Sequence, residues 1–169
     1  MKNLRLLLGL VVLLLVLSAQ LWAGELKGRL DAITPSDSSL TIAGITIFTQ
    51  DALIRNEYDQ AIPFAALNVG DFLMVDGEFV GQGQFEAHRI QLDFYGKDVI
   101  KGKIEAVDLN NHVIIIAGVK VQINNSTWLD DDDDMMIDFI QLTPSSYVRC
   151  WGHWAGNLSF VADRVELED

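Results

Sequence analysis

The sequence predicts an all-β protein, two small five-stranded barrels in tandem behind an export leader, and three observations carry that prediction. Glycine and apolar positions recur at a fixed offset: Gly28 with Gly102, Leu30 with Ile104, Ala32 with Ala106 and Gly44 with Gly118 are each 74 residues apart. Most segments between these marks alternate apolar and polar residues with the period of a half-buried strand, and turn-forming residues interrupt them. A charged, then wholly apolar N-terminus precedes both copies. A fixed period carrying the same glycines is the signature of a repeat architecture.

The leader comes first. Lys2 and Arg5 precede Leu6 to Leu17, a run without a polar side chain, and small residues follow at Ser18, Ala19 and Ala23. This is the layout of a signal peptide, residues 1–23, cleaved after Ala23. An uncleaved anchor is the competing reading, because Leu6 to Ala23 is 18 residues where a bilayer needs about 20; Ser18 and Gln20 interrupt the run and favour cleavage. A periplasmic or extracellular chain with no stable membrane insertion is the expectation.

The first copy, residues 24–95, opens with Leu26, Gly28, Leu30 and Ala32 alternating with charged residues. Thr34-Pro35-Ser36-Asp37-Ser38 ends that strand, since each residue favours turns. Leu40 to Ala43 and Ile45 to Thr49 form a hairpin, with Gly44 supplying the positive φ of its tight turn. Alternation fails from Asp51 to Asn68, where Ile62, Phe64, Ala65 and Leu67 fit a short helix or turn with Pro63 near its start. Val69-Gly70-Asp71 then turns the chain into a long hairpin, Phe72 to Val80 and Gln84 to Asp93, around Gly81-Gln82-Gly83.

Phe94-Tyr95-Gly96-Lys97-Asp98 is the joint, and the second copy, residues 96–169, repeats the order. Strands are expected over Val99 to Val107, Val113 to Ala117 and Val119 to Ile123. A loop at Asn124-Asn125-Ser126 follows, then a helical slot over Met135 to Leu142 and a closing hairpin, Tyr147 to Trp154 and Leu158 to Leu167. In that hairpin Gly152, Ala162 and Arg164 lie 75 residues beyond Gly77, Ala87 and Arg89, so the second copy has gained one residue between Gly118 and Gly152. Five strands with a helical element between the third and fourth is the order of an oligonucleotide/oligosaccharide-binding (OB) barrel, whose closure leaves few exposed edges.

The chain resembles the bacterial exported family catalogued as domain of unknown function 5666. The resemblance rests on Gly28-Arg29-Leu30, Gly44, Val69-Gly70-Asp71 through Gly77, and Ala87-His88-Arg89-Ile90. The second copy departs where Thr143-Pro144-Ser145-Ser146 replaces the Val-Gly-Asp turn. The resemblance implies OB-like repeats and no activity.

Charge excludes one class of partner. The chain carries a net −12. Loss of Lys2 and Arg5 with the leader leaves ten basic residues against 24 acidic ones, a net −14. Nucleic-acid binding needs cations that displace condensed counterions, so no nucleic-acid partner is expected. Cys150 is the only cysteine, so no internal disulfide forms and stability must come from packed cores.

Three constellations are candidates for chemistry. Asp130, Asp131, Asp132, Asp133 and Asp134 offer oxygen ligands to Ca²⁺, although they lack the alternation and glycine of a calcium loop and also read as a solvated acidic loop. Trp128, Trp151 and Trp154 could stack on a ligand or fill the core. Cys150 and His153 suggest a metal site or an uncharacterised envelope enzyme, but three residues apart on a strand they face opposite sides. No nucleophile elbow, metalloprotease helix, P-loop or dinucleotide fingerprint occurs. The leading expectation is therefore a non-enzymatic exported binding or scaffold module, with no cofactor, whose partner is a protein or glycan of the cell envelope. A calcium-binding protein is the first alternative and an enzyme the second.

Overall fold

A computed structural model describes residues 24–168; the expected signal peptide lies outside the described residues. The fold is all-β. The first copy contributes β1 (Gly24–Arg29), β2 (Ala32–Thr34), β3 (Ser39–Ile42), β4 (Ile45–Phe48), β5 (Leu53–Arg55), β6 (Phe72–Gly81) and β7 (Gln84–Asp93). The second contributes β8 (Asp98–Asp108), β9 (Val113–Ile116), β10 (Val119–Asp131), β11 (Tyr147–Gly156) and β12 (Ser159–Glu168). All twelve strands share one hydrogen-bonded network.

Within the second copy the pairings return to their start: β8 pairs β9, β9 pairs β10, β10 runs parallel to β12, β12 pairs β11 and β11 pairs β8. The first copy has the same order, with β1 and β2 sharing the role of β8, and β4 and β5 that of β10. The alternation read from the sequence aims one face of most strands inward, although Ala32 and its counterpart Ala106 are exposed. Leu26, Leu40, Ile42, Ile47, Leu73, Val75, Phe85 and Ile90 are buried, as are Ile100, Ile114, Ile116, Val121, Val148, Phe160 and Val165.

The turns follow their glycines. Ala43 and Gly44 both have positive φ, as do Ala117 and Gly118, which makes each tight hairpin a type I′ turn. Gly77 and Gly152 sit where a bulge shifts the register of the long hairpins. A Cβ at either position would fall far inside van der Waals distance of a neighbouring backbone carbonyl, that of Glu86 or of Val161.

Three expectations need correction. The helical slot over Met135 to Leu142 shrinks to a single 3₁₀ turn, Phe139–Gln141, matching the turn Phe64–Ala66 of the first copy, because Asp138 and Pro63 enter them extended and Leu142 and Leu67 leave them extended. Asn124 to Ser126 is not a loop but part of β10, with the extra residue absorbed where its register shifts between Ile123 and Trp128. The patternless stretch after Asp51 contains β5, which pairs in parallel with β7.

The two copies clasp each other about a local two-fold relation. Strand β1 pairs antiparallel with β8, and Leu26 lies opposite Ile100, its own counterpart in the repeat. Such self-complementary pairing characterises a two-fold interface. Trp154 fills the space a side chain at Gly28 would need, with its indole nitrogen 2.7 Å from the Cβ position, and Phe79 crowds Gly102 in the same way. Backbone bonds repeat the exchange: Gly83 N–H donates to the Ala117 carbonyl at 2.7 Å, and Leu158 N–H to the Ala43 carbonyl at 2.8 Å. Each copy's long hairpin thus reaches into the other's tight turn. Joining two cores in this way compensates for the small core that about 70 residues can build alone.

Candidate ligand-binding surfaces

The three tryptophans do not line one groove. On β10 and β11, Trp128 and Trp151 each stand opposite Arg164 of β12, one on either side. The Arg164 guanidinium lies 4.9 Å from the Trp151 ring centre, and Arg149 approaches the same ring at 5.7 Å. Trp154 is the wedge between the copies. Its ring meets Phe160 edge to face at 4.9 Å, and its indole N–H donates to the Lys27 carbonyl at 3.1 Å.

The aspartate run divides by burial. Asp130 is only 1% exposed. Its carboxylate accepts Arg164 Nε at 3.0 Å, pairs with Nη2 at 2.7 Å and accepts the Trp128 indole N–H at 2.9 Å. Asp134 also pairs with Arg164, at 3.1 Å, and Asp131 Oδ1 accepts the backbone N–H groups of Asp133 and Met135. The five aspartates therefore do not converge on a point. Among the described residues, no group of three His, Cys, Asp or Glu side chains is placed to hold a metal ion. One feature of the run is shared by both copies: Asp59 pairs with Arg89 at 3.4 Å, 75 residues before Asp134 and Arg164.

Cys150 lies in the core with no exposure, and burial pushes its thiol well above the ordinary range. His153 faces outward on the same strand, so the two form no joint site. A thiolate is the reactive form. Folded protein is therefore expected to resist a disulfide-exchange reagent at neutral pH, and to react once only when denaturant is added; fast reaction of the native chain would contradict this core.

Among the concavities that lie elsewhere, Arg29 lines two. One, of about 420 Å³, opens at the joint between the copies and is bordered by Asp31, Thr41, Asp98, Trp154 and Asn157. The other, of about 240 Å³, lies beside the Phe94–Tyr95 segment and is bordered by Glu57, Asp71, Asp93, Phe94 and Tyr95. Around it stand three open rings: Tyr58 is 70% exposed, Phe94 60% and Tyr95 79%. Tyr58 and Phe94 meet edge to face at 6.3 Å, and the Arg29 guanidinium lies 5.8 Å from the Tyr95 ring centre.

The carboxylates here are held in fixed positions. Asp31 Oδ2 accepts the Ala43 N–H at 2.6 Å, and Asp98 Oδ2 accepts the Trp154 N–H at 2.9 Å. Burial raises the Asp98 pKa against the lowering effect of that N–H. Asp93 is lowered, chiefly by its hydrogen bond with Lys27. Sequence reading passed over these residues because Phe94, Tyr95 and Asp98 all look like linker. The available signal was an aromatic pair in an otherwise polar joint.

These features define an all-β tandem repeat whose shared positions build turns and core. The family model for the domain of unknown function DUF5666 matches residues 27–91 and again residues 101–166, and the chain belongs to that family. No curated protein matches it.

Proposed function

We propose that the chain is a non-enzymatic, exported binding module of the cell envelope, built of two OB-like barrels and presenting one surface to a protein or glycan. The barrel reading is supported by the strand order within each copy, first-second-third-fifth-fourth, with the third and fifth parallel. Export is supported by the apolar run of the N-terminus and periplasmic or extracellular residence by its cleavage pattern.

The observation that carries the binding role is the exposure of Tyr58, Phe94 and Tyr95 together beside one arginine. Scattered apolar residues on a surface need no explanation, but a cluster rimmed by polar groups marks an interaction site. Aromatic residues and arginine also dominate the energetics of recognition. Immobilised mature chain should retain a defined partner from an envelope extract, and a Phe94→Ala/Tyr95→Ala chain should lose it. Equal retention by both chains, or none by either, would refute the reading.

A further inference from the structure

We propose that the joint cleft and the aromatic groove form one track for a neutral oligosaccharide, with sugar faces on Phe94 and Tyr95 and hydroxyls at Arg29, Asp31 and Asp98. This rests on the binding-module reading and names the occupant. Arg29 belongs to the wall of both concavities, so a ligand filling one abuts the other. That arrangement suits a chain of several units better than a single small molecule.

Thr41, Asp98 and the Trp154 indole are not demanded by packing. Across the two-fold relation, the counterparts of Thr41, Asp98 and Trp154 are Ile115, Gly24 and Phe79. On that side Glu105, the counterpart of Asp31, accepts the Gly118 N–H at 3.2 Å, but no carboxylate stands where Asp98 does, and Phe79 packs edge to face on Phe85 at 4.9 Å just as Trp154 does on Phe160. The clasp can therefore be built without a carboxylate at the Asp98 position. Asp98 is nonetheless held half-buried there, against the cost of desolvating a charge. On its side of the joint, backbone N–H groups hold Asp31 and Asp98 by one oxygen each.

Chemistry selects the occupant. An apolar ligand would bury the second oxygen of each of those carboxylates without a partner. A polyanion meets Asp31, Glu57, Asp71 and Asp98 on a chain of net −12. A cationic peptide meets Arg29 at the middle of the track. Sugar hydroxyls donate to carboxylates and accept from the guanidinium, while the C–H faces of the rings cover exposed aromatic surface.

The test is a glycan array of neutral and sulfated oligosaccharides of four or more units, probed with mature chain and followed by titration of the best neutral ligand. Binding to a neutral oligosaccharide should weaken at least tenfold in Tyr95→Ala and in Asp98→Asn, and stay unchanged in Met136→Ala, a change on the distant Asp131–Met136 loop. Circular dichroism of each variant confirms that it is folded. No binding to any neutral glycan, or a preference for sulfated ones, overturns the proposal. If an envelope protein is still captured through Phe94 and Tyr95, the binding module stands and only the glycan falls; if nothing is captured, both fall.

Discussion

Gly152→Ala is expected to lower stability by about 3 kcal/mol or more, at or beyond the upper end of ordinary overpacking. The added Cβ would be driven into the Val161 carbonyl and the Ala162 Cα, which are backbone atoms of the paired strand and cannot swing aside. At this chain length such a loss corresponds to a fall in Tm of about 10 °C. Gly77→Ala should behave alike, because Gly77 faces the Glu86 carbonyl in the matching bulge. Gly70→Ala is the control. Its φ is +96 but nothing lies within 4 Å of the new Cβ, so only backbone strain remains, about 1–2 kcal/mol. Equal losses at Gly70 and Gly152 would show that conformational strain, not steric exclusion, fixes the bulge.

Arg164→Ala is expected to cost about 3 kcal/mol, the lower end of the range for breaking a buried pair, because the arginine side chain is itself one-third exposed. The loss comes from Asp130, whose side chain is 2% exposed and keeps only the Trp128 indole N–H when the guanidinium goes. A charge left buried without its partner costs more than the pair contributed. Asp130→Asn in the same chain should therefore recover part of the loss, and a double-mutant cycle measured by denaturant unfolding reads that coupling. Additive effects of the two substitutions would mean that Arg164 acts through its stacking on Trp151 instead.

These two expectations also show what the sequence could convey. Bulge glycines, tight-turn glycines and the inward faces of the strands were legible, because each is a local requirement repeated at the same offset in both copies. The clasp was not. Nothing in the spacing of Trp154 says that the space beside Gly28, more than a hundred residues earlier, is where its ring packs. The pairing of Leu26 with Ile100 became visible only once the copies were placed against each other.

The aspartate run shows the converse, a loud local signal standing beside a plain one. Five adjacent carboxylates invite a search for a cation, and the cation that meets Asp130 and Asp134 is Arg164. The clue was the Asp59 and Arg89 pair at the same offset in a copy with no acidic run. Tyr58, Phe94 and Tyr95 escaped notice for a related reason. They have no fixed place in the repeat, and their exposure is a property of the folded surface.

Scanning calorimetry of the mature chain addresses the mutual clasp most directly. Two copies that share strand pairing between β1 and β8, and exchange Trp154 and Phe79, should melt in a single transition whose calorimetric and van't Hoff enthalpies agree. Trp154→Ala should shift that whole transition downward, by the ~3–5 kcal/mol typical of removing a large packed aromatic. Two resolved transitions in the unsubstituted chain, or a Trp154→Ala chain in which only one half melts earlier, would contradict it.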